Sequence, residues 1–457
     1  MSTLATRMDE HVARAESADL VAHSGRVSRV VGLVIESTGP RTAVGRTCWV
    51  CPGGEAAAVL CEVVGFRDNT MLLMPLGDID GIGPGCEVIP TGQPMTVPVG
   101  EALLGRVVGG LGEPVDGKGP LGATQRRSIY AQPPDPLRRR RITEPMPMGI
   151  RAIDAFLTCG KGQRIGVFSG AGVGKSMLLG QIARCSSADV NVIALVGERG
   201  REAREFVDKY LGPKGLMKSV VVLVTSDQHA LLRLKGAYTA MTVAEYFRER
   251  GKNVLLTVDS VTRIARAQRE LGLSIGEPPA TRGYTPSVFE LMPRLLERSA
   301  IADQGSITGI FAVLVEGDDL DEPVSDLMRA TVDGHIVLSR KLATRNHFPA
   351  IDVLASISRC MPDIVDGEHY AAAGQLRLVY AIYEDARDMI NLGAYAAGSS
   401  PHIDNAIRMV PKLEAFLRQL PDEDAAFQQT RQTLVELAAD SVAPKLAQAK
   451  LAKEASP

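Results

Sequence analysis

The sequence predicts an α/β core with an all-β segment before it and a helical segment after it. Three observations carry this reading. From Gly25 to about Val97, short β-branched runs alternate with Gly, Pro and Asp turns; from Gly149 to about Ser358, near-continuous apolar runs are separated by helical stretches; after Met361, apolar residues recur at helical spacing. A chain of 457 residues with 45% apolar content has core to spare, and its length suggests about three domains. The expected division is 1–24, 25–97, 98–148, 149–360 and 361–457.

Residues 1–24 are polar and Ala-rich. Leu4, Met8 and Val12 at i, i+4, i+8 form one narrow apolar stripe, as in a short helix that docks on a partner. The runs Arg26 to Ile35, Val59 to Val64 and Met71 to Leu76 read as strands of a small β-barrel. Cys48 and Cys51 have CxxC spacing, and with Cys61 and Cys86 would allow a four-thiolate zinc site. Against it, a second CxxC pair is missing and Cys48 also reads as a buried strand residue beside Trp49. Residues 98–148 are dense in Gly and Pro and read as a linker. The run Arg138 to Arg141 inside it suits a solvated connection, though four adjacent arginines also suit an anionic partner.

In the core, strands are expected at Ile165–Phe168, Val190–Val196, Val220–Val224, Val254–Val258, Ile307–Val315 and His335–Leu338. Such continuous apolar strands imply a parallel sheet covered on both faces. The first runs through Ser169, Gly170, Ala171, Gly172, Val173, Gly174, Lys175, Ser176 and Met177 into a helix. That is a phosphate cradle: the glycines let successive N–H groups turn inward, and the helix adds the positive end of its dipole. Lys175 reaches the β- and γ-phosphates of a nucleotide and Ser176 holds its magnesium. Ser169 replaces the first glycine of the usual GxxxxGK[ST] pattern, a position that only opens the loop.

Ligands of open parallel sheets gather at the carboxyl ends of the strands. Glu198 and Asp259 each follow a strand there, in register with Lys175. Either acid alone is more often a helix cap than a catalyst; together with a phosphate loop they read as the parts of phosphoryl transfer to water. Asp259 has the form of a Walker B aspartate that orients magnesium, and Glu198 is free to act as general base. Arg199 and Arg263, each just after a strand, are candidates to stabilise charge on the γ-phosphate, or plain surface arginines.

The stretches Gly197-Glu-Arg-Gly-Arg-Glu, Gly276-Glu-Pro-Pro-Ala-Thr-Arg-Gly-Tyr, Asp333-Gly-His-Ile-Val-Leu-Ser-Arg and Ala355-Ser-Ile-Ser-Arg359 resemble those of the type III protein export ATPases, flagellar and injectisome, which are similar to rotary ATP synthase subunits. The match runs from about Gly25 to Ile407. The resemblance implies a RecA-like P-loop NTPase core over 149–360, between an N-terminal β-barrel and a C-terminal helical domain, using ATP and Mg²⁺. It also implies a homohexameric ring in the cytoplasm, peripheral to the inner-membrane export apparatus. Partners implied are a stator-like regulator at the N-terminus, chaperone–substrate complexes at the C-terminal domain, and the membrane export gate. By position Arg359 would be an arginine finger for the neighbouring subunit's γ-phosphate, and Phe348 would stack on adenine, unless it is a core residue. Thr285 stands where the family usually has proline.

Other readings remain open. A catalytic subunit of a rotary proton-translocating ATPase shares the core. A non-catalytic subunit would have glutamine at the position of Glu198, so the glutamate favours hydrolysis. A ring-shaped RNA translocase needs a basic barrel with stacking aromatics, and this barrel offers chiefly Trp49 and Phe66. The net charge of −2 and the absence of an apolar run of about 18 residues give no reason to expect nucleic acid or a membrane span. Asp9 and Glu10, with no apolar h-region, argue against a secretion signal. Between the two export systems, overall resemblance leans flagellar.

Overall fold

A computed structural model of the chain describes residues 23–53 and 56–454, so the docking helix expected near the N-terminus lies outside the described residues. The chain divides at Met95/Thr96 into two compact units.

In the first unit six strands close a barrel: β1 (Gly25–Val31), β2 (Val34–Thr38), β3 (Arg46–Cys51), β4 (Val59–Arg67), β5 (Thr70–Pro75) and β6 (Glu87–Pro94), in the order β1-β2-β5-β4-β3-β6. The single run expected from Arg26 to Ile35 is two strands. Gly32, at φ 58, turns the chain into a hairpin in which Val31 opposes Val34. Period-2 alternation sends Val27, Ile35, Val50, Val63, Leu73 and Val88 inward. Cys48 and Cys61 are direct cross-strand partners within this core. Burial pushes their thiols up to about 11 and about 12, away from the thiolate a zinc ion requires. Among the described residues no three His, Cys, Asp or Glu cluster as metal ligands.

The second unit is built on an eight-stranded sheet. Its members are β8 (Arg106–Val108), β10 (Arg164–Ser169), β11 (Val190–Glu198), β12 (Ser219–Thr225), β13 (Asn253–Asp259), β14 (Ser306–Leu314), β15 (Gly334–Leu338) and β16 (Ile351–Ser358), in the order β16-β15-β10-β14-β13-β11-β12-β8. All are parallel except β16, which runs antiparallel on the edge beside β15. Every residue of β11 is buried, as the unbroken apolar run requires. The helix Lys175–Cys185 covers one face with Leu178 and Ile182 against Ile165 and Val167. The helix Ala230–Arg248 packs against β11, β12 and β13.

The stretch 98–148 is not a free linker. β8 within it adds the far edge of the sheet, with Val108 fully buried, and β7 (Thr96–Val99) pairs with β9 (Gln125–Ser128) in a separate ribbon. Arg106 fixes the bend after β8 by a two-pronged bond to Asp116 at 2.8 and 2.9 Å. A three-residue strand between glycine-rich turns leaves too short a pattern to read from sequence. β16 escaped for another reason: as an edge strand it exposes Leu354 and Ile357, so its pattern is mixed.

The last part is helical, with Gly367–Asn391, Pro401–Leu417 and Phe427–Glu454. Leu376, Val379, Leu413 and Leu434 join Ile153 and Phe156 in one core that continues into the sheet. Arg151 ties the two regions: its backbone N–H donates to Gln419 Oε1 at 2.8 Å and its Nε to the Phe416 carbonyl at 2.7 Å. No helix of the described residues is long and apolar enough to cross a membrane.

Candidate active site

β10 delivers the chain to the glycine-rich loop at the carboxyl end of the sheet. Gly172 and Gly174 sit at φ 75 and φ 100, where L side chains are strained, and the helix starts at Lys175 immediately after the second. Arg340 donates to the Ala171 carbonyl at 3.2 Å and fixes the outer wall of the loop. Ser169 is buried and its Oγ has no hydrogen-bond partner among the described residues.

Three strands over from β10, β11 carries Glu198. The register of β11 against β12 shifts between Val196 and Glu198, at Gly197. Gly197 has φ 72, and a Cβ there would lie 2.9 Å from Cδ of Arg263, so the bulge needs glycine twice over. The shift places the Glu198 carboxylate 3.9 Å from Lys175 Nζ, which is ion-paired with Asp259 at the end of β13. Arg263 sits 3.1 Å from each Glu198 oxygen and also donates to the Gly197 carbonyl. Lys175, Glu198 and Asp259 are all buried to about nine-tenths at the side chain. Burial pushes the Glu198 carboxyl up to about 7, and Asp259 adds to the rise; Lys175 and Arg263 pull it back in part.

Of the residues singled out in the sequence, Lys175, Ser176, Glu198, Asp259 and Arg263 therefore gather at one end of the sheet. The pairing of Lys175 with Asp259 and the Ser176 hydroxyl at the helix start supply carboxylate and hydroxyl oxygen, the donor types Mg²⁺ selects. Arg199 follows Glu198 at the same end, but its side chain is turned out: it is 79% exposed and faces Glu202 at 3.5 Å. Arg359 is elsewhere. It follows β16, whose Ser358 opposes Gly334, and Gly334 opposes Ile165 at the start of β10. Arg359 is exposed at the amino end of the sheet, with roughly 13 Å of strand between it and the phosphate loop.

Phe348 stands against the loop, its Cε1 3.4 Å from where a Cβ on Gly174 would be. With Met177, Gln181, Pro349, Gln419 and Pro421 it lines a slot of about 10 Å³, so a base enters only if these side chains part. Gln419 and Pro421 belong to the turn after the helix Pro401–Leu417 and carried no motif. Arg340, the support of the loop, was visible only as the last letter of the Asp333-to-Arg340 stretch.

A phosphate loop with two acids and a lysine converging on it defines a P-loop nucleotide hydrolase. Residues 149–358 match the ATP synthase alpha/beta family nucleotide-binding domain, residues 27–92 the beta-barrel domain of that family, and residues 365–436 the T3SS EscN ATPase C-terminal domain. The chain is 50% identical over 423 residues to the flagellum-specific ATP synthase of Bacillus subtilis, covering 92% of this chain and 97% of that one. The assembled ATPase EscN of the enteropathogenic E. coli type III secretion system is 43% identical, with a TM-score of 0.86 over 91% of this chain and 100% of that one. EscN in complex with its central stalk EscO gives 0.84 at 42% identity, over 91% and 100%. The chain belongs to the family of flagellum-specific ATP synthases and type III secretion ATPases, and it is an ATPase.

Proposed function

We propose that the protein hydrolyses ATP to drive flagellar type III export, unloading substrates from their chaperones at the export gate, as a homohexamer in the cytoplasm beside the inner membrane. The observation that carries the catalytic part is the convergence of Lys175, Glu198 and Asp259 in one buried cluster. Support for the flagellar system is the higher identity to the Bacillus subtilis protein than to EscN. The complex of EscN with its central stalk supports a central-stalk partner for this ring too.

In this reading the triphosphate takes over Lys175 and frees Asp259; Asp259 and Ser176 are the residues that would hold Mg²⁺. Bound there, Mg²⁺ would offset charge on the phosphate oxygens. Glu198 accepts the proton of the water whose oxygen attacks the γ-phosphorus, while the bond to the bridging oxygen breaks and its electrons stay with ADP. Arg263 holds the Glu198 carboxylate by one hydrogen bond from Nη2 and an ion pair through Nε, and so positions the base rather than the phosphate. The exposure of Arg199 gives it no part in this step.

Arg359 acts on the neighbouring subunit. What supports this is its place at the amino end of its own sheet, away from its own phosphate loop. Arg359→Ala is expected to bind ATP and assemble yet hydrolyse slowly, a loss of about 10³-fold or more for such residues. Mixed with Glu198→Gln, it should regain activity, because some interfaces then pair an intact Glu198 with a neighbour's intact Arg359. Mixed rings that form and stay inactive at every ratio would rule out the shared site. For the export system, deleting the gene should remove flagellin from the culture supernatant; unchanged flagellin export would assign the enzyme to an injectisome.

A further inference from the structure

The arginine run 138–141 has a use that a solvated connection does not explain. Arg139 is committed, sharing Glu297 with Arg164. Arg140 and Arg141 instead wall a cavity of about 470 Å³, together with Lys161, Glu144, Asn253 and Ser306. Asn253 and Ser306 are the first residues of β13 and β14, so the cavity opens at the amino end of the sheet, the far end from the phosphate loop.

We propose that this cavity binds a compact anion carrying several phosphate charges, at a site separate from that of ATP. Among the described residues three cations face one carboxylate. Glu144 is already bonded to Lys161 at 2.6 Å, and that bond holds its carboxyl below the usual range, so it offsets no more than one of the three. Arg140 is oriented by a bond from Nε to the Ala302 carbonyl at 3.2 Å, which leaves its terminal N–H groups for a ligand. Arg141 has no ion pair or hydrogen bond among the described residues. The Ser306 hydroxyl bonds Asn253 Oδ1 at 3.0 Å and leaves the amide NH₂ as a further donor. Guanidinium forks match phosphate two-pronged. The volume suits a small molecule. Among the described residues no aromatic side chain lines the cavity, which removes the stacking that a nucleic acid strand would use.

The test uses full-length Lys175→Ala, in which the phosphate loop has lost its cation, and inorganic tripolyphosphate as probe, by calorimetry at about 150 mM salt, an ionic strength that screens loose surface attraction. Expected is one site per chain, weakened at least tenfold when Arg141→Ala is added and further with Arg140→Ala. Adding Arg201→Ala and Arg204→Ala, on another exposed surface, should leave it unchanged. Among the described residues Arg141 makes no hydrogen bond or ion pair, so its single substitution remains interpretable if the double one destabilises the chain. Absence of binding at millimolar probe, equal weakening by the Arg201 and Arg204 pair, or equally tight binding of an oligoglutamate peptide would each overturn the proposal.

Discussion

Both ends of the central sheet carry a knot of charge, and the two are built to opposite rules. At the amino end, Arg164 meets Asp333 at 3.0 and 3.1 Å and shares Glu297 with Arg139. Burial alone would raise the Glu297 carboxyl, but the bonds from Arg139 and Arg164 outweigh it and hold it low. Each of these four charges has a partner that suits its ionised form. At the carboxyl end, burial wins at Glu198 despite Lys175 and Arg263, and Lys175 has two acids to serve. Satisfied charges hold a structure together, whereas an incompletely compensated buried cluster is ready to exchange its partners for a substrate.

The largest effects should follow from breaking the carboxyl-end knot. Lys175→Ala removes a phosphate contact made in both ground and transition states, so ATP binding weakens and turnover falls below detection in a phosphate-release assay. Glu198→Gln keeps the shape but cannot accept a proton. It should bind ATP normally while kcat drops about 10² to 10⁴-fold. A kcat within about threefold of the unmodified enzyme would remove Glu198 as the base. Neither change should lower the melting temperature appreciably, because these groups are held against burial and not by it.

The difference between the two ends also governs what the sequence disclosed. Lys175, Glu198 and Asp259 follow apolar strands directly, so strand pattern and local motif place them together without knowledge of the tertiary pairings. Arg139, Glu297 and Asp333 come from three distant segments, nothing in the arginine run or in the stretch from Asp333 names their partners, and only packing joins them through Arg164 and Glu297. The same holds within the fold: β10 to β14 are mostly buried apolar runs of six residues or more and announce themselves, while β8 is three residues long and β16 is half exposed. Arg263 looked like a surface residue or a phosphate contact, because nothing in one chain's spacing shows that Gly197 leaves room for its stem. The slot at Phe348 was half visible, since Gln419 and Pro421 reach it from a helical region with no chemical signature.

A smaller effect is expected at the amino end. Glu297→Ala leaves Arg139 and Arg164 without their shared carboxylate, and because Glu297 is 38% exposed, water recovers part of the loss. A destabilisation of about 1–2 kcal/mol is expected in urea unfolding. Here kcat should stay within a few fold of the parent, the reverse of Glu198→Gln. A collapse of kcat with unchanged stability would show that the amino-end network serves chemistry after all.

The smallest effect concerns pH, and it sharpens the same contrast. Arg106 and Asp116 also lie at the amino end, where Arg106 opposes Val220 at the start of the β12 pairing. The hydrogen bonds from Arg106, aided by backbone N–H groups of Lys118 and Val107, hold the Asp116 carboxyl well below the usual carboxylate range. Its folded value lies below its unfolded value of about 4, so the unfolded chain binds the proton more readily. The stabilisation is therefore complete above about pH 5 and is lost as the pH falls through 4 and below. Asp116→Asn should lower stability at pH 7 by about 1 kcal/mol and flatten the fall between pH 5 and pH 3, read as the urea midpoint at each pH. An unaltered acid slope would mean that the fork is already broken in solution, and that the bend after β8 is held by the Val115 N–H to Val107 carbonyl bond instead.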